Sequence, residues 1–531
     1  MSAAAPAWPA RDAEHLLVSG EQMAALEQEL FASGLPVEAL MEKAALAVAQ
    51  RIRQDWGRHL AAHGAVVLVG PGHNGGDGLV IARELHLAGV AVAIWSPFEH
   101  HKPLTARHLR HALWLEIPRL EAPPEPSSQA LWIDALFGIG QSRAPGATIE
   151  TLLAERQRHR PHTLVAVDGP TGLCSDSGRL LGTSAARAHT SYVIGLLKTG
   201  LVRDPALAWV GALERIDLGL PAALLVQLPA DQPLGLHPAD LANLPPLALD
   251  PAAGKYGRGR LLVVAGSERY RGAAALALLG ADASGCGSLR AALPQAVAEA
   301  LWRWLPHAVL QQGLASDAAG NLQLAALGDG CLDRLDAVLL GPGIGCPSDE
   351  PQAEQPAAWQ RLQAFAGLLV LDADGLNRID ADWLSARGGP TWITPHAGEF
   401  ERLFPALAGE LPLEAARQAA RQSGAVVLLK GAHTVIAAPD GRCWQLLNTA
   451  AEAARTGLGD VLAGFAAGRG AMALAGGAGA DGCWLAAAAL AHANAGLALK
   501  QQGLVPSPER VAAHLQRTGT DLLQTRPEPI A

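Results

Sequence analysis

The segment ARTGLGDVLAGFAAG, residues 454–468, combines two glycines and an acid at the start of an apolar helical pattern. Gly457 and Gly459 would leave the first backbone N–H groups of that helix available to a phosphate, and Asp460 falls in the first turn. A carboxylate beside such an anion-binding helix end can deprotonate a substrate hydroxyl as it attacks phosphorus. The segment therefore predicts phosphoryl transfer with Asp460 as the base; alternatively, Asp460 only complements the helix dipole.

Four further runs of the second half each end a β-rich stretch with a glycine, an acid, a lysine or a histidine. They read LLGPGIG, LDADGLN, ITPHAGE and LLKGAHTVI, and they span residues 339–345, 371–377, 393–399 and 428–436. Lys430 in the last run supplies a cation beside a glycine turn. His396 taken alone is more often a structural residue than a ligand. Lys430 is thus the second candidate for contact with a phosphate.

A glycine-rich turn joins a strand to a helix in the first half, within VVLVGPGHNGGDGLVIARELHLAG, residues 66–89. Glycines let the backbone approach a ligand closely, and the following helix start favours phosphate, although many such turns are merely tight. Two other predicted strands also end in polar residues, with Asp134 in LWIDALFGIGQSR and Asp168 and Thr171 in LVAVDGPTG. Because ligands bind at the carboxyl ends of parallel strands, we expect these segments to converge on one site.

Three oxygen-bearing side chains, Asn74, Asp134 and Thr171, reach the same predicted sheet edge. Hard oxygen ligands suit potassium or a similar cation better than zinc, for which the sequence has no cluster of Cys and His. Each residue alone could equally be a helix cap or the start of an Asx turn. Their joint occurrence favours the cation site.

Short apolar strands alternate with amphipathic helices in both halves, which predicts parallel sheets covered on both faces. Strands are expected at residues 66–70, 90–95, 131–134, 163–168 and 191–197, then at 260–266, 336–343, 367–374, 391–399 and 425–431. Seven prolines between residues 221 and 251 exclude long helices and central strands there and indicate a linker. The halves share no alignable repeat, so the sequence predicts two different α/β domains.

Composition and charge narrow the function further. The chain has 531 residues, of which 50% are hydrophobic and 17% charged, and these proportions indicate a globular protein of several domains. Its net charge of -9 argues against binding to nucleic acid or to an anionic membrane surface. Residues 482–499 are uncharged but rich in Ala and Gly, which favours a buried helix over a membrane span.

The motifs of the first half resemble the epimerase domain that acts on hydrated NADH and NADPH. LMEKA, GPGHNGGDG, DALFGIG, VAVDGPTG and AHTSYVIGLLKTG carry the resemblance over about residues 17–220. His73-Asn74 stands where the family commonly has two Asn residues, and Pro170-Thr171-Gly172 stands for its Pro-Ser-Gly. The resemblance implies a Rossmann-like domain with potassium at Asn74, Asp134 and Thr171. Asp168, at a strand end beside the bound cofactor, is the candidate proton-transfer group. It places nucleotide contacts at His73, Asn74, Gly75, Gly76, Asp77, Gly138, Ile139, Gly140, Gln141, Ser142, Arg143, Ala144 and Asp168.

The second half resembles the ribokinase-like superfamily, and more closely its ADP-dependent dehydratases of hydrated NAD(P)H. The matching segments, from KYGRGRLLVVAGSERYRGAAALA to TGLGDVLAG, extend from about Lys255 to Leu523. The segment NTAAEAARTGLGD, residues 448–460, has fewer glycines than the family's loop, and DASGCGSLR departs from its usual stretch, but the GxGD core is intact. The resemblance implies that the substrate lies near Ala273, Gly345, His396 and Asp460, and the adenine nucleotide at Lys430, Gly431, Ala432, His433, Thr434 and Gly459.

Together the resemblances imply an enzyme that repairs hydrated NADH and NADPH. Residues 1–220 would epimerise the R and S forms, 221–250 would be the linker, and 251–525 would dehydrate the S form with ADP and Mg²⁺, giving NAD(P)H, AMP and phosphate. The alternative is a protein in which a vitamin or sugar kinase of the ribokinase superfamily is fused to a nucleotide-binding scaffold. A kinase is possible because those enzymes share the GxGD motif. We further expect a cytoplasmic homo-oligomer with dinucleotide substrates and without nucleic-acid or membrane partners.

Overall fold

The computed structural model of the chain describes residues 8–245, 247, 252–327, 330–346, 356–449 and 454–518. Several predictions fall partly outside the described residues: positions 1–7, 251, 328–329, 347–355 and 519–525 of the two expected domains, positions 246 and 248–250 of the expected linker, and positions 450–453 of the NTAAEAARTGLGD segment. The described chain forms two compact units. One is Arg11–Gln232, and the other joins residues 8–10 to the residues from Pro233 onward.

In the described part of unit Arg11–Gln232, seven strands form a fully parallel sheet in the order β4-β3-β2-β5-β6-β7-β9, and β1 pairs with β8 apart from it. The strands are β1 Leu17–Val18, β2 Ala65–Val69, β3 Val92–Trp95, β4 Arg119–Leu120, β5 Leu131–Ala135, β6 Leu164–Val167, β7 Thr190–Ile194, β8 Leu197–Lys198 and β9 Ala212–Ile216. The helices are α1 Gly20–Ala32, α2 Val37–His63, α3 His73–Leu87, α4 Pro103–Trp114, α5 Ala147–His159, α6 Leu207–Val210 and α7 Ala222–Leu225.

The second unit is built on a larger sheet, in which the described residues contribute ten strands in the order β10-β19-β18-β17-β16-β15-β14-β11-β12-β13. Only β18 pairs antiparallel to its neighbours within this described sheet. The strands are β10 Leu234–Leu236, β11 Arg260–Val264, β12 Ser288–Pro294, β13 Val309–Leu314, β14 Ala337–Leu340, β15 Leu368–Leu371, β16 Thr391–Ile393, β17 Val426–Leu429, β18 Val435–Ala437 and β19 Cys443–Leu446.

Helices cover both faces of this larger sheet, and alternate residues of its central strands enter two different hydrophobic cores. Leu261 and Val263 of β11 lie in one core, while Leu262 and Val264 lie in the other. The helices are α8 Arg271–Ala283, α9 Gln295–Ala298, α10 Leu301–Trp304, α11 Pro356–Ala364, α12 Asp374–Asn377, α13 Ala381–Ser385, α14 Ala397–Leu403, α15 Pro412–Ser423, α16 Leu458–Ala475, α17 Gly482–Gln501 and α18 Pro508–Thr518.

The predicted α/β class with parallel sheets is confirmed, and one local expectation needs correction. The run SYVIGLL is not one strand: β7 ends at Ile194, Gly195 adopts a positive φ of 78°, and Leu197–Lys198 pairs with β1 instead. The proline-rich segment contributes the edge strand Leu234–Leu236, which pairs with β19, and this agrees with the exclusion of central strands from that segment. Helix α17 is long and apolar enough to span a membrane by length and composition, but 72% of its most apolar window is buried inside the protein.

Candidate active sites

The glycine turn of the first unit lies where the order of its sheet reverses. Strands β2 and β5 are neighbours, but β2 continues to β3 on one side and β5 continues to β6 on the other. Ligands of open parallel sheets bind in the crevice at such a point. A Cβ on Gly70 would lie 1.6 Å from the carbonyl oxygen of Leu136, so the two loops pass each other in direct backbone contact. Only glycine allows this approach.

Asn74 lies in the first turn of α3, directly beside this crossing. Both its side-chain oxygen and its side-chain nitrogen are buried without a hydrogen-bond partner among the described residues. A buried amide of this kind is costly unless a ligand completes it. Gly138 adjoins the same amide, since a Cβ there would come within 3.4 Å of Asn74 and 3.2 Å of Asp168. The structure thus brings Asn74, Gly138 and Asp168 together.

Asp134 and Thr171 form a second buried pair at the ends of β5 and β6. The Thr171 hydroxyl donates to one Asp134 oxygen at 2.8 Å, and the Thr171 backbone N–H donates to the other at 2.8 Å. Burial raises the pKa of Asp134 to about 6, against the lowering effect of its hydrogen bonds to Thr171 and Leu136. The oxygens of this pair, together with the unpartnered Asn74, are a donor set that fits a hard cation such as potassium.

Asp168, at the end of β6, is held by a buried lysine that the motif search did not identify as a site residue. Its carboxylate accepts from the Lys198 ammonium at 2.7 Å and from the backbone N–H groups of Ile139 at 3.4 Å and Ile194 at 3.3 Å. The Lys198 side chain is only 1% exposed. Asp168 also has a left-handed φ of 66°, a conformation that costs energy in a residue other than glycine and is typical of functional sites.

Two further carboxyl groups of this site were not identified as acids from the sequence. Glu27 on α1 and Asp77 on α3 line one cavity together with His73 and Ile194. Burial, and then the charge of Asp168, raise the pKa of Glu27 to about 7, while Lys198 opposes the shift. Burial, Asp168 and Glu27 raise the pKa of Asp77 well above its usual value. Asp77 is predicted from the sequence only as a nucleotide contact within the glycine motif. Glu27 lies outside all of the motifs, so no sequence signal pointed to it.

The loop of residues 138–144 divides into an anchored part and an exposed part. Ser175 donates to the Ile139 carbonyl at 2.9 Å, and the Gln141 side chain bridges the Pro170 carbonyl at 3.2 Å to the Gly172 N–H at 2.6 Å. This half adjoins the Asp134–Thr171 pair. The other predicted loop contacts, Ser142, Arg143 and Ala144, are exposed, and Gly140 faces open space.

In the second unit, an aspartate, a lysine and a helix start meet at the carboxyl ends of the central strands. Lys430 after β17 donates to Asp372 after β15, and Thr394 after β16 donates to the same Asp372 oxygen at 2.8 Å. A Cβ on Gly459 would lie 3.6 Å from the Lys430 Nζ, so the ammonium faces the first turn of α16. This combination of a cation and backbone N–H groups can hold a phosphate.

Asp460 lies in that first turn among other charged groups. Burial raises its pKa to about 7, with further increase from Asp372 and Asp374 and a decrease from Lys430. Gly457, the residue before the helix, has a left-handed φ of 90° and provides no side chain to cap the helix. The N-terminal end of α16 is therefore open to a ligand. The carboxyl group of Asp460, beside this end, ionises near neutral pH.

The other predicted substrate contacts lie along the neighbouring strand ends. The Gly345 N–H donates to Asp374 at 2.8 Å, and Ala273 lies against the same GPGIG loop, 2.7 Å from a Cβ built on Gly343. His396 caps α14 by accepting from the N–H groups of Gly398 and Glu399 at 3.1 and 3.3 Å. This cap is a structural role, which is the role that the sequence indicates as the more common one for a histidine such as His396.

The predicted nucleotide segment turns away from the end of β17. His396 and Lys430 share a parallel bridge between their backbones, and Gly431 and Thr434 close a turn in which the Thr434 hydroxyl donates to the Gly431 carbonyl at 3.1 Å. Gly431 and Ala432 are exposed, whereas His433 is buried.

One histidine near this site carried no sequence signal. His492 lies on α17, and its Nε2 is buried without a hydrogen-bond partner among the described residues. Burial lowers its pKa to about 4; a hydrogen bond with the Leu458 backbone opposes this change, and the charge of Lys430 reinforces it. His492 therefore stands beside the start of α16 as a neutral imidazole. His492 lies in an Ala-rich helix and belongs to none of the sequence motifs, so it could not be identified as a site residue from the sequence.

Comparisons with known proteins match both halves of the chain. The family pattern described as NAD(P)H-hydrate dehydratase matches residues 261–517, and the pattern described as YjeF-related protein N-terminus matches residues 37–200. The chain is 43% identical to the bifunctional NAD(P)H-hydrate repair enzyme Nnr of Gloeobacter violaceus, covering 85% of this chain and 87% of that protein. It is 40% identical to the enzyme of the same description from Synechocystis, covering 85% of each.

One solved structure is also similar to part of the chain. The ADP/ATP-dependent NAD(P)H-hydrate dehydratase from Bacillus subtilis is 25% identical, with a TM-score of 0.43, and the match covers 54% of this chain and 97% of that one.

Proposed function

Since this chain belongs to the family of bifunctional NAD(P)H-hydrate repair enzymes, we propose that its two units restore hydrated NADH and NADPH in two steps. The first unit interconverts the R and S forms of the hydrate. The second unit dehydrates the S form with ADP and releases NAD(P)H, AMP and phosphate. The observation that carries the proposal is Asp460, held in the first turn of an uncapped helix beside Lys430.

Dehydration needs a better leaving group than hydroxide. Asp460 removes the proton of the substrate hydroxyl. At the same time the hydroxyl oxygen attacks the terminal phosphorus of ADP, and AMP leaves. The phosphate then departs with the electron pair of the carbon–oxygen bond, and loss of a proton from the adjacent carbon restores the ring double bond. Lys430 and the N–H groups from Gly457 to Asp460 stabilise the phosphoryl charge that develops.

The nucleotide and the substrate occupy separate parts of this second site. We place the adenine nucleotide along residues 430–434 and at Gly459, and the hydrated ring near Ala273, Gly345, His396 and Asp460. Mg²⁺ bound with ADP would neutralise phosphate charge. Asp372 serves to fix Lys430, because it accepts from both that ammonium and Thr394.

The first site binds the hydrated cofactor over the glycine turn of α3. The residues His73 to Asp77 and the loop 138–144 contact the nucleotide, and Asp168 handles a proton. Asn74, Asp134 and Thr171 would hold potassium, whose charge would offset that of the substrate phosphates. The unpartnered amide of Asn74 supports this assignment.

The organisation of the whole chain follows from these two activities. We propose an epimerase domain at residues 1–220, a linker at 221–250 and a dehydratase domain at 251–525, in a cytoplasmic homo-oligomer that binds neither nucleic acid nor membranes. Within this division, residues 8–10 and the described residues of the linker from Pro233 onward pack in the same compact unit as the dehydratase domain.

One coupled assay tests the function. The intact protein is given enzymatically hydrated NADH with Mg²⁺ and K⁺, with and without ADP, while NADH absorbance and the ratio of epimers are followed. We expect epimerisation without ADP and recovery of NADH only with it. A stable phosphorylated alcohol in place of NADH would instead identify a small-molecule kinase.

The variant Asp460→Asn tests whether Asp460 acts as a base or only complements the dipole of α16. Substrate binding should persist while kcat for dehydration falls by about 100-fold or more. Asp382→Asn is the matched control, because Asp382 is an exposed first-turn acid of α13. Turnover near that of the unmodified enzyme in Asp460→Asn would remove Asp460 from the mechanism.

A further inference from the structure

Glu27 reaches the first site from an element that carries none of its motifs. It lies on α1, before the parallel sheet begins, yet it lines the same cavity as His73 and Asp77 of α3 and Ile194 of β7. Its carboxyl group also lies within electrostatic range of Asp168, the proton-transfer group of the site, and of Lys198, which pairs with Asp168. The cavity thus receives carboxyl groups from two sides.

Asp168 is the proton acceptor of the pair. Its carboxylate accepts from the buried Lys198 ammonium and from the backbone N–H groups of Ile139 and Ile194, which fix its position. A carboxylate has about four acceptor positions, so Oδ2, which among the described residues accepts only from Ile139, keeps one free for a proton of the substrate or of water.

Glu27 has the opposite surroundings. Among the described residues its carboxyl group has neither a hydrogen-bond partner nor an ion-pair partner, and it is partly buried close to the charge of Asp168. A carboxyl group placed in this way favours its neutral, proton-bearing form.

We propose that Glu27 is the proton donor of the epimerisation, working with Asp168 as the acceptor. The inference rests on the proposed epimerase function of this unit. It assigns the acid and the base of the reaction to two carboxyl groups on different elements, with opposite charge states in the resting enzyme.

Either route to epimerisation needs both groups. If the hydroxyl is lost, Glu27 protonates its oxygen, the carbon–oxygen bond breaks to release water, and the ring nitrogen lone pair forms a double bond to that carbon. Water then adds to the opposite face and gives a proton to Asp168. If the ring opens instead, Asp168 takes the hydroxyl proton as the carbon–nitrogen bond breaks, and Glu27 protonates the nitrogen. In the reverse direction the two carboxyl groups exchange roles.

Asp77 lines the same cavity but is the weaker candidate. Burial and the charges of Asp168 and Glu27 all favour its neutral form, so Asp77 gives up its proton less readily than an ordinary aspartic acid. Glu27, whose pKa lies near neutral, can both give and recover a proton.

The test uses the intact protein and the variant Glu27→Gln, with epimerisation measured without ADP as the approach to equilibrium from the pure R form. We expect the catalysed rate to fall by about 100-fold or more, with unchanged substrate affinity. ADP-driven dehydration of the S form by the same sample should be unaffected. Glu29→Gln is the matched control, because Glu29 is an exposed glutamate of the same helix.

Two further measurements separate catalysis from folding. Glu27→Asp keeps an acid, so it should recover part of the rate that Glu27→Gln loses, at equal thermal stability. In the unmodified protein, where Asp77, His73, Asp168 and Lys198 surround Glu27, the rate should decline as pH rises through about 7, and this decline should be absent from the residual rate of Glu27→Gln.

The outcomes are distinct for the two claims. If the unmodified protein does not epimerise the hydrate, the proposed function of this unit fails. If it does, and Glu27→Gln keeps its rate or Glu27→Asp recovers nothing while binding substrate normally, Glu27 is not the donor.

Discussion

Two carboxyl groups with raised pKa values are assigned opposite tasks in the two units. Burial raises the pKa of both Glu27 and Asp460 to about 7. Asp460 faces Lys430 and the start of a helix, where a negative charge and a phosphate are both stabilised, so its ionised form can act as a base. Glu27 lacks a cation in contact and serves as the acid. The same shift thus supports different chemistry because the neighbours differ.

The dehydration rate should report the ionisation of Asp460. A base is active when deprotonated, so kcat/KM should rise with pH and level off above about 7. The charge of Asp374 raises the pKa of Asp460, so Asp374→Asn should lower that pKa and move the rise to lower pH. The measurement is the pH profile of NADH recovery from the S form with saturating ADP.

The exposed Asp382 provides the control for this shift, since Asp382→Asn should leave the profile in place. If kcat/KM of Asp374→Asn rises at the same pH as in the unmodified enzyme, this would contradict the assignment of the rise to the ionisation of Asp460.

A buried arginine without partners should weaken the second unit. Arg469 on α16 is 3% exposed, and both terminal nitrogens of its guanidinium lack hydrogen-bond partners among the described residues. Burial lowers its pKa to about 10, which reflects the cost of its charge. Arg469→Met should therefore stabilise the unit by about 1–4 kcal/mol. The measure is the urea midpoint at which dehydration activity is lost.

Arg387 is the matched control, because it is also buried, with its pKa likewise lowered to about 10. Its guanidinium donates to Thr391 Oγ1 at 2.8 Å and to the carbonyls of Leu362 and Gly367 at 2.5 and 2.6 Å. Arg387→Met should destabilise by about 1–3 kcal/mol, because these acceptors lose their donor. Equal effects of the two substitutions would refute the argument.

At the scale of elements, both sites are built on the open start of a helix. Neither α3 nor α16 has a side-chain cap, because Gly72 and Gly457 precede them. Helix α1 instead begins with a Ser19 cap, and α17 begins with an Asp481 cap. An uncapped start leaves backbone N–H groups for an anion.

Two glycines at the start of α16, Gly457 before the helix and Gly459 in its first turn, should therefore respond differently to substitution by alanine. At Gly459 a Cβ would meet only Lys430, at an ordinary 3.6 Å, so Gly459→Ala should fold normally yet obstruct the phosphate and raise KM for ADP by roughly tenfold, or about 1.4 kcal/mol. At Gly457 the left-handed φ strains alanine, so Gly457→Ala should lower stability by about 1–2 kcal/mol. Thermal melting and ADP kinetics on both variants separate the effects. Melting unchanged in Gly457→Ala, or ADP kinetics unchanged in Gly459→Ala, would contradict this account.

The strands and glycine turns were predictable because their signals are local. A short apolar run followed by glycine and an acid marks a strand end, and parallel pairing then collects those ends at one edge. Lys198, Glu27 and His492 could not be found in this way, because each reaches its site through the packing of a different element. The edge strand Leu234–Leu236 was missed because its partner β19 lies about two hundred residues away.

At the scale of the whole molecule, the second unit includes residues from the beginning of the chain. Trp8 is 3% exposed and belongs to the same hydrophobic core as Leu236 and Trp444. Its indole N–H donates to the Asp240 carbonyl at 2.9 Å, and the Trp444 indole donates to the Trp8 carbonyl at 3.1 Å. The dehydratase unit thus depends on a residue that precedes the epimerase unit in sequence.

Trp8→Ala should therefore harm the activity of the later half of the chain. Loss of a buried Trp side chain costs about 3–5 kcal/mol, so dehydration activity should be lost at a lower temperature while epimerisation in the same sample survives as before. Trp8→Phe is the control: it keeps most of the packing and removes only the indole hydrogen bond, worth about 1 kcal/mol. The measurement is the residual rate of each reaction after heating the intact protein. If epimerisation and dehydration fail together, or if epimerisation alone fails, Trp8 does not belong to the dehydratase core.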